Sequence, residues 1–195
     1  MKTTGKTTLH LMTAVLAAVL VMNPLSGLAL DFKGVNFADE VKIGQDVAKL
    51  NGVGVRKKFM VTVYYGALYL QTPSKDRKAI IQADEPKEVL LHVVYKEVGA
   101  DKWVEGWKEG FANNVPNPSP ELQAKIDQFL QAFNEPVKSG ETVRLTYVPG
   151  KGTQVAIRDK QKAVIPGKDF MTALFSIWFG DKPASDSLMK GMLGE

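Results

Sequence analysis

From Asp31 onward the apolar positions fall into short runs separated by turn residues. Residues 35–37, 40–43 and 46–55 have strand character, the last interrupted by a turn-like Asn51-Gly52. Residues 59–70 give the strongest strand. There Phe59, Val61, Val63, Tyr65, Ala67 and Tyr69 alternate with Met60, Thr62, Tyr64, Gly66 and Leu68. Both sets are largely apolar, which predicts a central strand covered on both sides. Residues 76–83 read as a short helix. Residues 88–95 read as a further buried strand, with His92 inside it.

A helical pair comes next. Trp103, Trp107 and Phe111 recur four residues apart, on one face of a helix over 101–114. Asn113-Asn114 and Pro116 stop it. Ser119-Pro120-Glu121 starts another helix, with serine at the cap and proline in the first turn. Leu122, Ile126, Phe129, Leu130 and Phe133 then follow at helical spacing, up to Pro136. These aromatic stripes are expected to pack on a sheet rather than to stack on a ligand. Residues 142–148 and 153–158 predict a hairpin around Pro149-Gly150-Lys151-Gly152, and 161–165 a further strand. A helix over 169–179 carries Phe170, Leu174, Ile177 and Trp178 and stops at Gly180. Ser185 or Asp186 caps a last helix running through Met192. Strands, a helical pair, strands and helices in that order give an α+β class: a largely antiparallel sheet with helices on one side.

The N-terminus obeys a different pattern. Lys2 and Lys6 precede an apolar run over 9–22, Asn23-Pro24 breaks it, and Gly27-Leu28-Ala29 supplies small residues. This is the layout of a removable secretion signal over 1–29, similar to a bacterial one, and it implies the periplasm. The apolar run is too short to span a bilayer, which takes about 20 residues, so no stable membrane insertion is expected once the signal is cleaved. The working part is then one domain over 30–195, long enough to bury a full core. Its charge is close to neutral, because two of the 25 Lys and Arg lie in the signal and none of the 21 acids do. No basic patch with interleaved aromatics is present, which argues against nucleic acid as a partner.

Composition narrows the chemistry further. The chain has no cysteine and two histidines, and His10 departs with the signal. Thiolate catalysis, cysteine-bound zinc and iron–sulfur clusters are excluded, and His92 alone builds no histidine-rich metal site. A lone histidine in a strand is expected to be structural. Gly150-Lys151-Gly152-Thr153 lacks the spacing of a phosphate loop and leads into a strand.

Two segments carry a family resemblance. One is Leu50-Asn51-Gly52-Val53-Gly54-Val55-Arg56-Lys57-Lys58-Phe59, leading into Tyr64-Tyr65-Gly66-Ala67-Leu68-Tyr69-Leu70. The other runs from Ala163-Val164-Ile165-Pro166-Gly167-Lys168 through Ala173-Leu174-Phe175-Ser176-Ile177-Trp178-Phe179-Gly180 to 185–188. In order and spacing they resemble the chalcone isomerase family, closest to its bacterial exported chalcone isomerase-like branch, and the resemblance covers about 31–194. It implies an open-faced β-sandwich: a long curved antiparallel sheet, a helical layer, and a ligand cleft between them. The family holds plant enzymes that close a chalcone to a flavanone, and non-catalytic members that bind fatty acids. Neither needs a cofactor or metal.

The resemblance places Arg56 on the family's arginine after Gly-Val. In the enzymes such a guanidinium stabilises negative charge moving onto the ketone during an intramolecular conjugate addition. The other enzyme positions depart from the pattern. The catalytic threonine falls at Val63 or Tyr64, no tyrosine lies within 99–114, neither Asn113 nor Asn114 can be assigned, and the late Thr/Ser position falls near Ser176-Ile177. In fatty-acid-binding members an arginine and a tyrosine hold the carboxylate, and Arg56 and Tyr64 match them. A straight strand of eight residues spans roughly 26 Å, so the two converge only if the chain turns near Lys57-Lys58. The plainer alternative for Arg56 is a solvated strand-end arginine. The implied function is a non-catalytic binder of a small apolar or amphipathic carboxylate such as a fatty acid. The alternative is an isomerase of the intramolecular lyase type, and a third reading has the Trp103/Trp107 face bind a partner protein.

Overall fold

The computed structural model describes residues 29–195. The signal expected over 1–29 lies outside the described residues, except for Ala29, which opens the first strand. In chain order the strands are β1 (Ala29–Phe32), β2 (Val35–Ala38), β3 (Glu40–Ile43), β4 (Asp46–Lys58), β5 (Val61–Leu70), β6 (Lys87–Val93), β7 (Glu97–Val98), β8 (Val137–Lys138), β9 (Thr142–Val148), β10 (Gly152–Ile157) and β11 (Lys160–Ile165). The helices are α1 (Arg77–Gln82), α2 (Ala100–Asn114), α3 (Pro120–Gln131), α4 (Lys168–Phe179) and α5 (Asp186–Met192). Seven strands make one sheet in the order β11-β10-β9-β6-β5-β4-β3, antiparallel at every pairing. The pairs β1-β2 and β7-β8 form small separate sheets.

The helices gather on one face, as the α+β order predicts. That face holds the main core, with Phe170, Leu174, Phe175 and Trp178 of α4 at its centre and Trp107, Phe129 and Phe133 packed around them. The other face carries a smaller cluster that includes Phe37, Ala67, Tyr69 and Leu90, partly roofed by β1 and β2. On β5, Leu68 and Leu70 point into the main core while Ala67 and Tyr69 point into the second. The strand is covered on both sides, as its doubly apolar pattern requires.

Local chemistry sets the element ends. Asp76 caps α1 by accepting from the backbone N–H groups of Lys78 and Ala79 at 2.9 and 3.1 Å. The far end of α1 is closed by the buried Lys87, whose ammonium donates to the carbonyls of Ile80 and Ala83 at 2.5 and 2.7 Å and lies 5.2 Å from the Phe175 ring centroid. Ser119 caps α3 and Ser185 caps α5. The helix expected to reach Pro136 stops at Gln131, because the Ala132 and Phe133 amides bond three residues back and tighten the chain.

The Asn-Gly-Val-Gly segment is a docking surface for α5. Asn51-Gly52 is not a turn. It sits at a bulge in a continuous β4, where the register shifts between Leu50 and Gly52. The bulge frees the Asn51 side chain to donate to the carbonyls of Ser74 and Met192 at 3.0 and 2.9 Å and to accept from the Ser74 amide at 2.8 Å. At Gly54 a Cβ would run into the backbone carbonyl of Leu188, and at Gly191 it would run into Gly54. Both positions need glycine because α5 lies directly on the strand.

Candidate functional site

The segment expected as a strand over 59–70 begins only at Val61. Phe59 and Met60 instead form a two-residue turn with φ of 50° and 72°, which joins β4 to β5 with Lys58 paired to Val61. The chain therefore doubles back two residues beyond Lys57, close to where convergence required a turn. Arg56 and Tyr64 become direct cross-strand partners, with side chains on the helical face of the sheet. A second bulge shifts the register between Arg56 and Lys57, leaving Val63 as the extra residue on β5. Val63 and Tyr64 consequently both line the site, where strict alternation would send one of them to the other face.

The space in front of this pair is a cleft of about 630 Å³ between the open end of the sheet and helices α2 and α4. That falls within the roughly 300–1,000 Å³ common for small-molecule sites. Its inner wall is aromatic. Tyr64 stacks on Trp103 with centroids 5.9 Å apart, Trp103 stacks on Trp107 at 5.8 Å, and Trp107 meets Trp178 edge-on at 5.8 Å. Ile177 of α4 completes the apolar lining. The acids that reach the cleft, Glu97, Glu105 and Glu109, are exposed residues at its mouth.

The interior carries hydrogen-bond donors rather than acceptors. Arg56 is half-buried and donates to the Lys57 carbonyl at 3.0 Å. Among the described residues no carboxylate pairs with it. Burial raises the Tyr64 phenol above its ordinary value, and the nearby Arg56 guanidinium and Trp178 indole offset only part of that shift. Tyr64 is therefore a neutral phenol at physiological pH, able to donate. The indole N–H groups of Trp103 and Trp107 are buried without a partner, and that of Trp178 lies close to the Tyr64 phenol without forming a well-aligned hydrogen bond. A buried donor left unsatisfied is costly, and tryptophans with such donors in the lining of the same cleft as a guanidinium suit a ligand that brings oxyanion acceptors.

The remaining sequence candidates lie elsewhere or are otherwise engaged. His92 sits on the opposite face of the sheet, 6.3 Å from the Phe37 ring, and burial lowers its pKa. The Ser176 hydroxyl donates to the Ala173 carbonyl at 2.6 Å. Asn114 bonds the Gly110 and Lys182 carbonyls at 3.0 and 2.9 Å and so ties α2 to the segment after α4. The reading in which Trp103 and Trp107 form a partner-binding face is overturned, since both are buried within the domain, 5% and 4% exposed. They also do more than the expected core packing, because the same rings wall the cleft. The sequence reading did not single out Trp178 as a lining residue; its four-residue offset from Leu174 marked it only as core.

The profile of the family described as chalcone isomerase-like matches residues 29–194. Among solved structures, a fatty-acid binding protein of Arabidopsis thaliana aligns with a TM-score of 0.67 at 18% sequence identity, covering 85% of this chain and 96% of that one. At that identity the likeness is one of fold. No curated protein sequence matches the chain.

Proposed function

The chain belongs to the chalcone isomerase-like family, and on that premise we propose that it is a non-catalytic binder of a small apolar or amphipathic carboxylate, such as a fatty acid. In this proposal it acts in the periplasm, after export and removal of residues 1–29. The observation that carries the reading is Arg56: a half-buried guanidinium with no carboxylate partner among the described residues, directly across from Tyr64, at the head of an aromatic cleft. A planar guanidinium matches a carboxylate with two parallel hydrogen bonds and stays charged at any working pH. Tyr64 and an indole N–H supply neutral donors beside it, and the stacked tryptophans and Ile177 give an alkyl chain an apolar bed. The fatty-acid binding protein of the same fold is consistent with such use of the cleft.

The isomerase alternative finds less support. Conjugate addition needs hydroxyl donors aimed at the developing oxyanion and a way to hold the attacking phenolate. By the resemblance, the positions that supply hydroxyls in the enzymes fall at Val63 or Tyr64, near Ser176-Ile177 and on the tryptophan face of α2, and the Ser176 hydroxyl is already engaged with the Ala173 carbonyl.

Native mass spectrometry of the protein purified from its own type of host, followed by extraction, tests the proposal. A stoichiometric acyl carboxylate, lost from Arg56→Ala, is the expected result, and the intact mass reports whether the chain starts at Leu30. A protein that comes out empty and takes up no fatty acid on titration contradicts the reading.

A further inference from the structure

The turn between β4 and β5 is out of keeping with water. Phe59 and Met60 are 90% and 94% exposed, and Val61 beside them 48%. Both turn residues have positive φ, in the two-residue arrangement for which Asn-Gly is favoured and bulky side chains are strained. The other tight hairpins with two positive φ values hold Lys33-Gly34 and Arg158-Asp159, residues suited to water or to that backbone. Neither packing nor conformation therefore accounts for a Phe-Met pair at this tip.

Its shape and charge indicate what covers it. The tip is convex and two residues wide, far short of the roughly 800 Å² per partner that a stable protein interface buries. A bilayer surface sets no such requirement, because it deforms around an inserted side chain. Lys57 and Lys58, both exposed, come immediately before the apolar pair. Apolar wedges with basic neighbours suit the boundary between acyl chains and anionic headgroups. Of the acids at the cleft mouth, Glu105 is paired with Lys102 at 2.8 Å and also lies within reach of the Lys58 charge, and Glu97, Glu105 and Glu109 belong to β7 and α2, not to the tip. Lys58 and Phe59 also line the mouth of the cleft, with the exposed Tyr95 as a further lining residue.

We propose that residues 57–60 are a membrane-docking tip that seats the mouth of the cleft on an anionic lipid surface, so that an apolar ligand passes between bilayer and cleft without crossing water. The transfer half of this proposal rests on the binding function proposed above. The docking half stands on the tip alone.

The test is flotation of the delipidated full domain with phosphatidylcholine vesicles, with and without phosphatidylglycerol, and with no fatty acid present. It is thus independent of whether a ligand is ever found. The key variant is Phe59→Asn/Met60→Gly, which gives the turn its favoured residues, so its thermal midpoint should equal or exceed that of the wild type. It should bind phosphatidylglycerol vesicles about 100-fold more weakly. Lys57→Gln/Lys58→Gln should lose about tenfold and most of its salt dependence. Met60→Gly alone keeps Phe59 and should fall between, which serves if the double variant folds poorly. Wild-type protein that stays with the unbound fraction overturns the proposal, as does a turn variant that floats as well as wild type. Concentration-dependent self-association that the turn variant abolishes, without flotation, assigns the tip to a second copy of the chain and equally overturns it.

Discussion

Arg56→Gln separates recognition of a carboxylate from burial of an alkyl chain. The substitution removes the charge and the guanidinium fork while leaving a polar side chain at a half-buried position opposite Tyr64. Hydrogen bonds to charged groups contribute about 1.5–3 kcal/mol each. Because Arg56 is not fully enclosed, the lower end applies even to a bidentate pair, and the loss corresponds to about tenfold to thirtyfold in Kd. The assay is isothermal titration of delipidated protein with dodecanoate and, separately, with its methyl ester. The two share the alkyl chain and differ in the acceptor charge. Wild-type protein should prefer the acid by roughly that factor, whereas Arg56→Gln should bind acid and ester almost equally, with ester affinity close to that of wild type. Arg56→Lys keeps the charge without the fork and should lie between. If Arg56→Gln still prefers the acid as strongly as wild type does, Arg56 does not hold the carboxylate and the reasoning fails.

Three further outcomes follow from the same geometry. Burial lowers the Lys87 ammonium from 10.5 to about 8, so the folded protein loses this proton before the unfolded chain does. Below about pH 8 the folded state bears the cost of a buried charge; from there toward pH 10.5 stability should rise by up to about 3 kcal/mol relative to Lys87→Met, as read by urea unfolding of both proteins at pH 7 and pH 10. A difference that does not change between those pH values contradicts this. Gly54→Ala places a methyl group against the Leu188 carbonyl and should cost about 3 kcal/mol, seen as a lower urea midpoint; an equally stable variant would show that α5 shifts freely on β4. Purified domain should not speed cyclisation of a chalcone above its spontaneous rate, followed by absorbance, and any reproducible turnover restores the isomerase alternative.

The parts of the fold governed by local periodicity were legible in the sequence. The capping Ser119, the cap expected at Ser185 or Asp186, the four-residue spacing of Trp103, Trp107 and Phe111, and the doubly apolar β5 all led to the elements observed. What escaped was governed by backbone irregularity. Phe59-Met60 has no turn signal, because apolar residues with positive φ are the opposite of what turn chemistry favours. Asn51-Gly52 carries a strong turn signal and is a bulge, because α5 fills the space beside it. The bulge at Val63 leaves no trace in composition, yet it lets two adjacent side chains share one cleft. Arg56 and Tyr64 were reachable through family resemblance, whereas their pairing depended on a turn that the residues themselves disguise. Nothing in the sequence pattern marked Lys87, which precedes the strand expected over 88–95; the carbonyls at the end of α1 and the Phe175 ring explain its burial.

The aromatic wall has an optical consequence. The chain's three tryptophans are Trp103, Trp107 and Trp178, and all three line the cleft. Native emission from this protein is therefore light from the cleft alone, with no background from distant indoles. Trp103 and Trp107 lie nearly parallel, at 20° with centroids 5.8 Å apart, close enough for their excited states to couple and to give a paired band in near-ultraviolet circular dichroism. A molecule that slid between or beside those rings would alter that band directly, so the protein carries its own reporter of occupancy and needs no label.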